Sequence, residues 1–142
     1  MPENFNAPYL ASNPSEFWKK WHMTFSNFLS LYVFKPVIKL LNKLINPQHR
    51  LLVSVLGYLI TFSICGLWHG STINFLYWGI WHGVGLGIYK IIQVKMLKKK
   101  NLDSNKLVKI GGTALTFLFV TIGWMFFQYS ELQLFEIYLL FV

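Results

Sequence analysis

Residues 51–70 read LLVSVLGYLITFSICGLWHG. From Leu51 to Trp68 the chain runs 18 residues without a charge, close to the ~20 apolar residues that cross a bilayer as a helix. Ser54, Gly57, Thr61 and Ser63 interrupt the run, so part of its surface is expected to face protein rather than lipid. The run ends on His69 inside Cys65–Gly70 (CGLWHG). An ionisable side chain at membrane depth is costly unless it is paired or reached by water, which marks His69 as a functional position. Gly70-Ser71-Thr72 reads as a turn. Ile73 to Tyr89 follows as a second uncharged run, with the titratable His82 in Trp78–Gly83 (WGIWHG). Gly79, Gly83 and Gly87 recur every four residues, one face of a helix and a doubled small-xxx-small pattern that predicts a close helix contact.

Downstream, Lys90 to Lys109 holds seven lysines and one aspartate and reads as a cytoplasmic loop by the positive-inside rule. Ile110 to Gln128 is a further span. Leu132 to Val142 is an apolar run of 11 residues, rising about 16 Å as a helix against a hydrocarbon core of about 30 Å; a fragment or an early stop is the expectation. Alternation places Arg50 inside, Gly70–Thr72 outside, Lys90–Lys109 inside and Gln128–Glu131 outside.

Upstream, Asn46-Pro47 marks a break. Residues 15–45 are aromatic-rich, and Lys35, Lys39 and Lys43 fall near one helix face beside Leu40, Leu41 and Leu44. That pattern predicts an interfacial or partly inserted helix. Residues 1–14 read as irregular, with helix onset near Asn13–Ser15, Asn13 as cap and Pro14 at the first helical position. The predicted organisation is a polar and interfacial part, 1–46, and transmembrane helices with the histidine motif and a truncated last helix, 47–142. The fold class is all-α, polytopic and membrane-integral.

Composition agrees. Of the 142 residues 54% are hydrophobic and 13% charged, against about 25% charged in soluble domains. The formal charge is +8, but the lysines flank apolar runs instead of tiling a polar face, and no nucleic-acid motif is present; attraction to anionic lipid accounts for them better. Cys65 is the single cysteine, which excludes an internal disulfide and a multi-cysteine zinc site. A small buried hydrophobe is its expected role.

His69 is the leading candidate for chemistry. Gly66 and Gly70 open backbone space beside it, and Trp68 supplies a low-dielectric wall. Burial keeps an imidazole neutral, and a neutral imidazole takes a proton from a hydroxyl as that oxygen attacks an acyl carbon. The alternative is a packing histidine bonded to a neighbouring helix. His82, 13 positions on, reads first as structural. His22, within Phe17–Thr24 (FWKKWHMT), either orients a substrate or sits at the interface. The spacing of His22, His69 and His82 does not require a metal, and none is expected.

The stretches Pro2–Leu10 (PENFNAPYL), Phe17–Ser26 (FWKKWHMTFS), Cys65–Asn74 (CGLWHGSTIN), Trp78–Gly83 (WGIWHG) and Ile122–Phe127 (IGWMFF) together resemble the membrane-bound O-acyltransferase family. The bacterial branch of alginate O-acetylation and teichoic-acid D-alanylation is the nearest. The resemblance implies a bacterial cytoplasmic-membrane enzyme moving an acyl group, acetyl or D-alanyl, from a thioester donor (acyl-CoA or an acyl carrier protein) to a hydroxyl of a cell-envelope polymer. No bound cofactor is implied. By the resemblance His69 corresponds to the catalytic histidine and His22 to the second site position, with Asn74 or backbone amides near Gly70 as oxyanion donors, and Trp68 and His82 as supporting residues. Family members are several times longer. Where they tend to carry an Arg-Asp pair, this chain has Ser30-Leu31-Tyr32. Two other readings stay open: an inactive or partner-dependent membrane fragment whose missing spans come from another chain, and a small proton-relay or transport component using His69 and His82.

Overall fold

The computed structural model describes residues 3–97 and 106–129, together with Gln133 and Leu139. Lys98–Lys100, Asp103, Glu131 and nearly all of the 132–142 run lie outside the described residues. Every regular element described is helical.

Helix α1, Pro14–Lys20, begins as the sequence predicts. The Asn13 side chain accepts from the Glu16 amide at 2.8 Å, and Pro14 loses no hydrogen bond at the first position. Glu16 reaches back to the amide and hydroxyl of Ser12 at 2.9 and 2.8 Å and pairs with Lys20 at 2.7 Å. Partial burial alone would raise the Glu16 carboxyl, but the bonds from Lys20 and Ser12 outweigh it and hold the group at about 2, below its ordinary 4.5. A depressed carboxyl stabilises the fold fully above the unfolded value and loses that contribution as pH falls through the folded one. Glu16→Gln is therefore expected to lower stability near neutral pH and flatten the acid side of the profile: melting temperatures of wild type and variant should differ most above pH 4.5 and converge towards pH 2.

Helix α2, Met23–Leu29, passes through a wide π turn, Ser30–Phe34, into α3, Lys35–Leu44. The Lys35 amide bonds Ser30 O, five residues back. Pro36 explains the widening: it lacks an amide proton, and its ring would collide with a carbonyl of the previous turn in an unbroken α-helix. Helix α3 lies along the first half of α4, Arg50–His69. Ile38 fills the space beside Gly57, and Phe34 stacks on Tyr58 at 5.0 Å. Lys35, Lys39 and Lys43 are exposed, as are Leu40 and Leu44.

Helices α4 and α5, Ile73–Ile92, form an antiparallel hairpin around the predicted turn at residues 70–72. The glycine stripe is its seam. A Cβ on Gly79 would stand 2.2 Å from Phe62 O, one on Gly83 2.9 Å from the Leu59 Cα, and one on Gly66 2.1 Å from Phe75 O. Backbone lies against backbone there, which side chains larger than hydrogen forbid. Helix α6, Lys106–Gln128, covers the other side of α5. Gly123 leaves room for the His82 ring, and the Trp81 indole donates to Phe119 O at 2.9 Å.

The core at this junction draws on both halves of the chain: Phe17, Trp18, Phe62, Cys65, Trp78, Leu86 and Val120. Cys65 is wholly buried within it. The N-terminal segment is tied in as well. Ser12 O sits where a Gly112 Cβ would go, and Tyr9 meets Phe117 edge-on at 5.9 Å.

Two stretches are long and apolar enough to cross a bilayer, Pro47–His69 and Lys106–Gln128. Helix α5, expected as a span with a close helix contact along its glycine face, is not among them. Asn74, His82, the tryptophans and four glycines dilute its apolarity, and the structure gives the reason: Trp78, Gly79, His82, Gly83, Leu86 and Gly87 are buried between α4 and α6. The lysine-rich loop is also shorter than expected. Helix α5 continues through a π turn to Leu97, and α6 already begins at Lys106.

Candidate functional site

His69 is the last residue of α4, carried to the helix end by the apolar run and released at Gly70, whose backbone is extended (φ 176°). The imidazole is lined by rings. Trp78 meets it edge-on at 5.2 Å, Phe127 at 5.2 Å, and Phe75 stacks at 6.4 Å. Trp68 at 5.0 Å and Phe25 at 6.1 Å also meet the ring, yet the residue as a whole is exposed, not buried as the sequence reading expected.

Trp68 meets the His69 ring edge-on from an exposed position. It is 68% exposed, whereas Trp78 is 2% exposed. Successive residues on a helix point about 100° apart, so the chain neighbour of His69 turns outward while Trp78 arrives from α5. The space left by Gly66 and Gly70 is taken: the Phe75 carbonyl fills the first and the Phe75 ring the second.

His22 caps α2 from the corner between α1 and α2, in the left-handed region (φ 42°). Few non-glycine residues take that conformation, and it costs about 1–2 kcal/mol. The corner is clamped from the N-terminal segment. Asn4 O accepts from the Met23 amide at 2.9 Å, Lys20 O from the Asn6 amide at 3.0 Å, and the Asn4 side chain from the Thr24 amide and hydroxyl at 3.1 and 2.6 Å. Asn4 and Asn6 thus hold the His22 corner in place. His22 faces Phe25 at 5.4 Å, and Phe25 faces His69 at 6.1 Å. The two histidines flank one phenylalanine and lie within electrostatic reach of each other.

His22→Gly is expected to melt higher than His22→Ala by the equivalent of about 1 kcal/mol, because glycine adopts the left-handed conformation freely. Thermal unfolding of the two variants side by side reads this, and equal melting temperatures would show that the corner is unstrained.

The Asn74 side chain is held by one hydrogen bond among the described residues, which leaves its second amide proton available as a donor. It is buried, and its amide nitrogen donates to Tyr129 O, tying the start of α5 to the end of α6. His82 is 1% exposed, packed among Trp18, Trp78 and Phe119 at 5.2, 4.9 and 5.2 Å. Trp78 stands between it and His69, and among the described residues no hydrogen bond joins the two histidines. The Nδ1 of His82 and the indole nitrogens of Trp18 and Trp78 are buried without a partner among the described residues. No group of three His, Cys, Asp or Glu side chains there is placed to hold a metal ion.

The structure thus brings together His69 and His22, packs His82 in the core and ties Asn74 to Tyr129. Phe25, Trp78 and Phe127 complete the site and were not singled out from sequence. Trp78 opens the WGIWHG stretch, and its place nine positions beyond His69 across a tight turn was the available signal.

A family model described as MBOAT, membrane-bound O-acyltransferase family, matches residues 1–130. The chain is 34% identical over 89% of its length to a teichoic acid D-alanyltransferase of Bacillus subtilis, covering 32% of that protein. It is 31% identical over 94% of its length to a peptidoglycan O-acetyltransferase of Helicobacter pylori, covering 23% of it. With a probable alginate O-acetylase of Pseudomonas aeruginosa the figures are 32%, 92% and 22%. The chain therefore spans between 22% and 32% of the length of these curated relatives.

Proposed function

From the premise that the chain belongs to the membrane-bound O-acyltransferase family, we propose that it supplies the histidine-bearing part of an enzyme that acylates a hydroxyl of a cell-envelope polymer. The single observation that carries this reading is the setting of His69. It ends an apolar helix, exposed as a residue yet packed on Trp78 and Phe127, with His22 across Phe25.

In this reading an acceptor hydroxyl approaches the exposed His69. The imidazole takes its proton while the oxygen attacks the carbonyl carbon of an acyl thioester, and the thiolate leaves. A base held against an apolar wall and close to the reacting oxygen contributes about 10²–10⁴-fold to such a step. His22 stands across Phe25 from His69 and orients one of the two substrates.

The relatives' names, D-alanyltransferase and O-acetyltransferase, bound the acyl group to D-alanyl or acetyl and the acceptor to teichoic acid, peptidoglycan or an exopolysaccharide. The protein works as a polytopic component of a bacterial cytoplasmic membrane. Helices α4 and α6 keep broad apolar faces outward, with Ile60, Ile64, Leu115 and Leu118 exposed; these meet lipid or further helices. A donor, acyl-CoA or an acylated carrier protein, reaches the site from the lysine-flanked side.

The test uses a bacterial strain lacking its own envelope O-acylation. Its envelope polymers, with and without the gene carrying this chain, are treated with mild base and the released acids are measured. Acetate or alanine released only with the gene supports the proposal, and identical release in both strains refutes it.

A further inference from the structure

A crevice of about 650 Å³ opens between α5 and α6, away from His69; Trp81, Val84, Ile88, Lys109, Leu115 and Phe119 line it. Its walls are largely apolar, with Ser12, Asn13 and Thr116 also lining it, and its ends differ. One end closes where the Trp81 indole bonds Phe119 O. The other opens at Lys109, with Lys106 one turn earlier on α6 and Lys90 and Lys95 at the end of α5. Ten residues separate Lys109 from Phe119, a rise of about 15 Å. That equals half of a ~30 Å hydrocarbon core. The crevice thus has the depth of one leaflet, with its charged end at the leaflet surface.

Among the described residues none of these four lysines pairs with a carboxylate; the ion pair there is Glu16 with Lys20. The stretch from Lys90 to Lys109 carries seven lysines against one aspartate, so its charge remains strongly positive. Clusters of this kind beside a membrane span attract anionic lipid head groups.

We propose that this crevice binds an anionic phospholipid of the lysine-side leaflet, one acyl chain between α5 and α6 and the phosphate at Lys109 and Lys106. The apolar walls hold the chain and the lysines select the head group. A zwitterionic lipid finds the same walls but repays the lysines poorly, because its own cation opposes theirs. The occupant lies along α5, the helix that also carries Trp78 and His82, so it buttresses the scaffold of the site from the far side.

The test is retention of lipid by the purified full-length protein in mild detergent, read by native mass spectrometry. The probes are phosphatidylglycerol and phosphatidylcholine with the same acyl chains, and the reading needs no acyl transfer. Phosphatidylglycerol should be retained at least tenfold better. Lys106→Glu with Lys109→Glu, both exposed and remote from the core, should erase that preference. Leu115→Trp, which fills the crevice, should lower retention of both lipids. Equal retention of the two lipids, retention of neither, or a preference that survives the charge reversal would overturn the proposal. Retention of neither is the outcome if further helices cover the crevice.

Discussion

His69→Ala is expected to lower the rate of acyl transfer by about 10²–10⁴-fold while leaving the melting temperature nearly unchanged. The two halves of that expectation have separate causes. The rate falls because no other described imidazole can take over: His22 stands across Phe25 and His82 behind Trp78. Stability holds because His69 is exposed at the end of its helix and none of its ring contacts is a hydrogen bond. His69→Gln sharpens the comparison. It keeps a polar side chain of similar reach but cannot act as a base near neutral pH, so its rate should fall as far. Steady-state transfer in proteoliposomes at matched protein, beside thermal unfolding in detergent, measures both. A large fall in melting temperature with a proportionate fall in rate would point to a packing role.

The second large effect is on the fold. Gly79→Ala is expected to destabilise the protein at or beyond the upper end of the ~1–3 kcal/mol typical of overpacking, seen as a sharp loss of folded protein. The added methyl would stand 2.2 Å from Phe62 O and 2.9 Å from the carbonyl carbon behind it. Both are backbone atoms of a helix, so no side chain can swing aside and the whole α4–α5 seam would have to part. Gly111→Ala is the control. Nothing lies within 4 Å of a Cβ there, and alanine is the better helix former by about 0.5–1 kcal/mol, so this variant should equal or exceed wild type. Detergent-solubilised yield and melting temperature of the pair decide whether the clash or the loss of glycine as such is responsible.

Much of the scaffold was legible in the sequence because it rests on local rules. Asn13 and Pro14 announce α1, Asn46-Pro47 separates α3 from α4, and the four-residue glycine period marks the seam. What could not be read is what depends on a partner helix. The glycine period of Ile73–Tyr89 announced one close helix contact, but not that α5 faces α4 on one side and α6 on the other.

The site divides in the same way. His69 and His22 stood out as residue types in unusual settings, and the structure places them around one phenylalanine. Trp68, adjacent in the chain, meets the ring from an exposed position, while the buried ring beside it is Trp78, brought in by the turn at residues 70–72. Asn74 was offered as an oxyanion donor on residue type alone, and a bond to Tyr129, 55 positions away, cannot be inferred from residue type. The left-handed backbone of His22 was equally hidden, since it follows from the clamp by Asn4 rather than from any glycine.

The most direct test of the account is label transfer in sealed vesicles holding the full-length protein in one orientation. A labelled acyl thioester is supplied on the lysine side, the polymer acceptor on the His69 side, and wild type is compared with His69→Ala at equal protein. The account predicts base-labile label on the acceptor with wild type and a reduction of at least a hundredfold with the variant. Label arriving at the wild-type rate with the variant would contradict it.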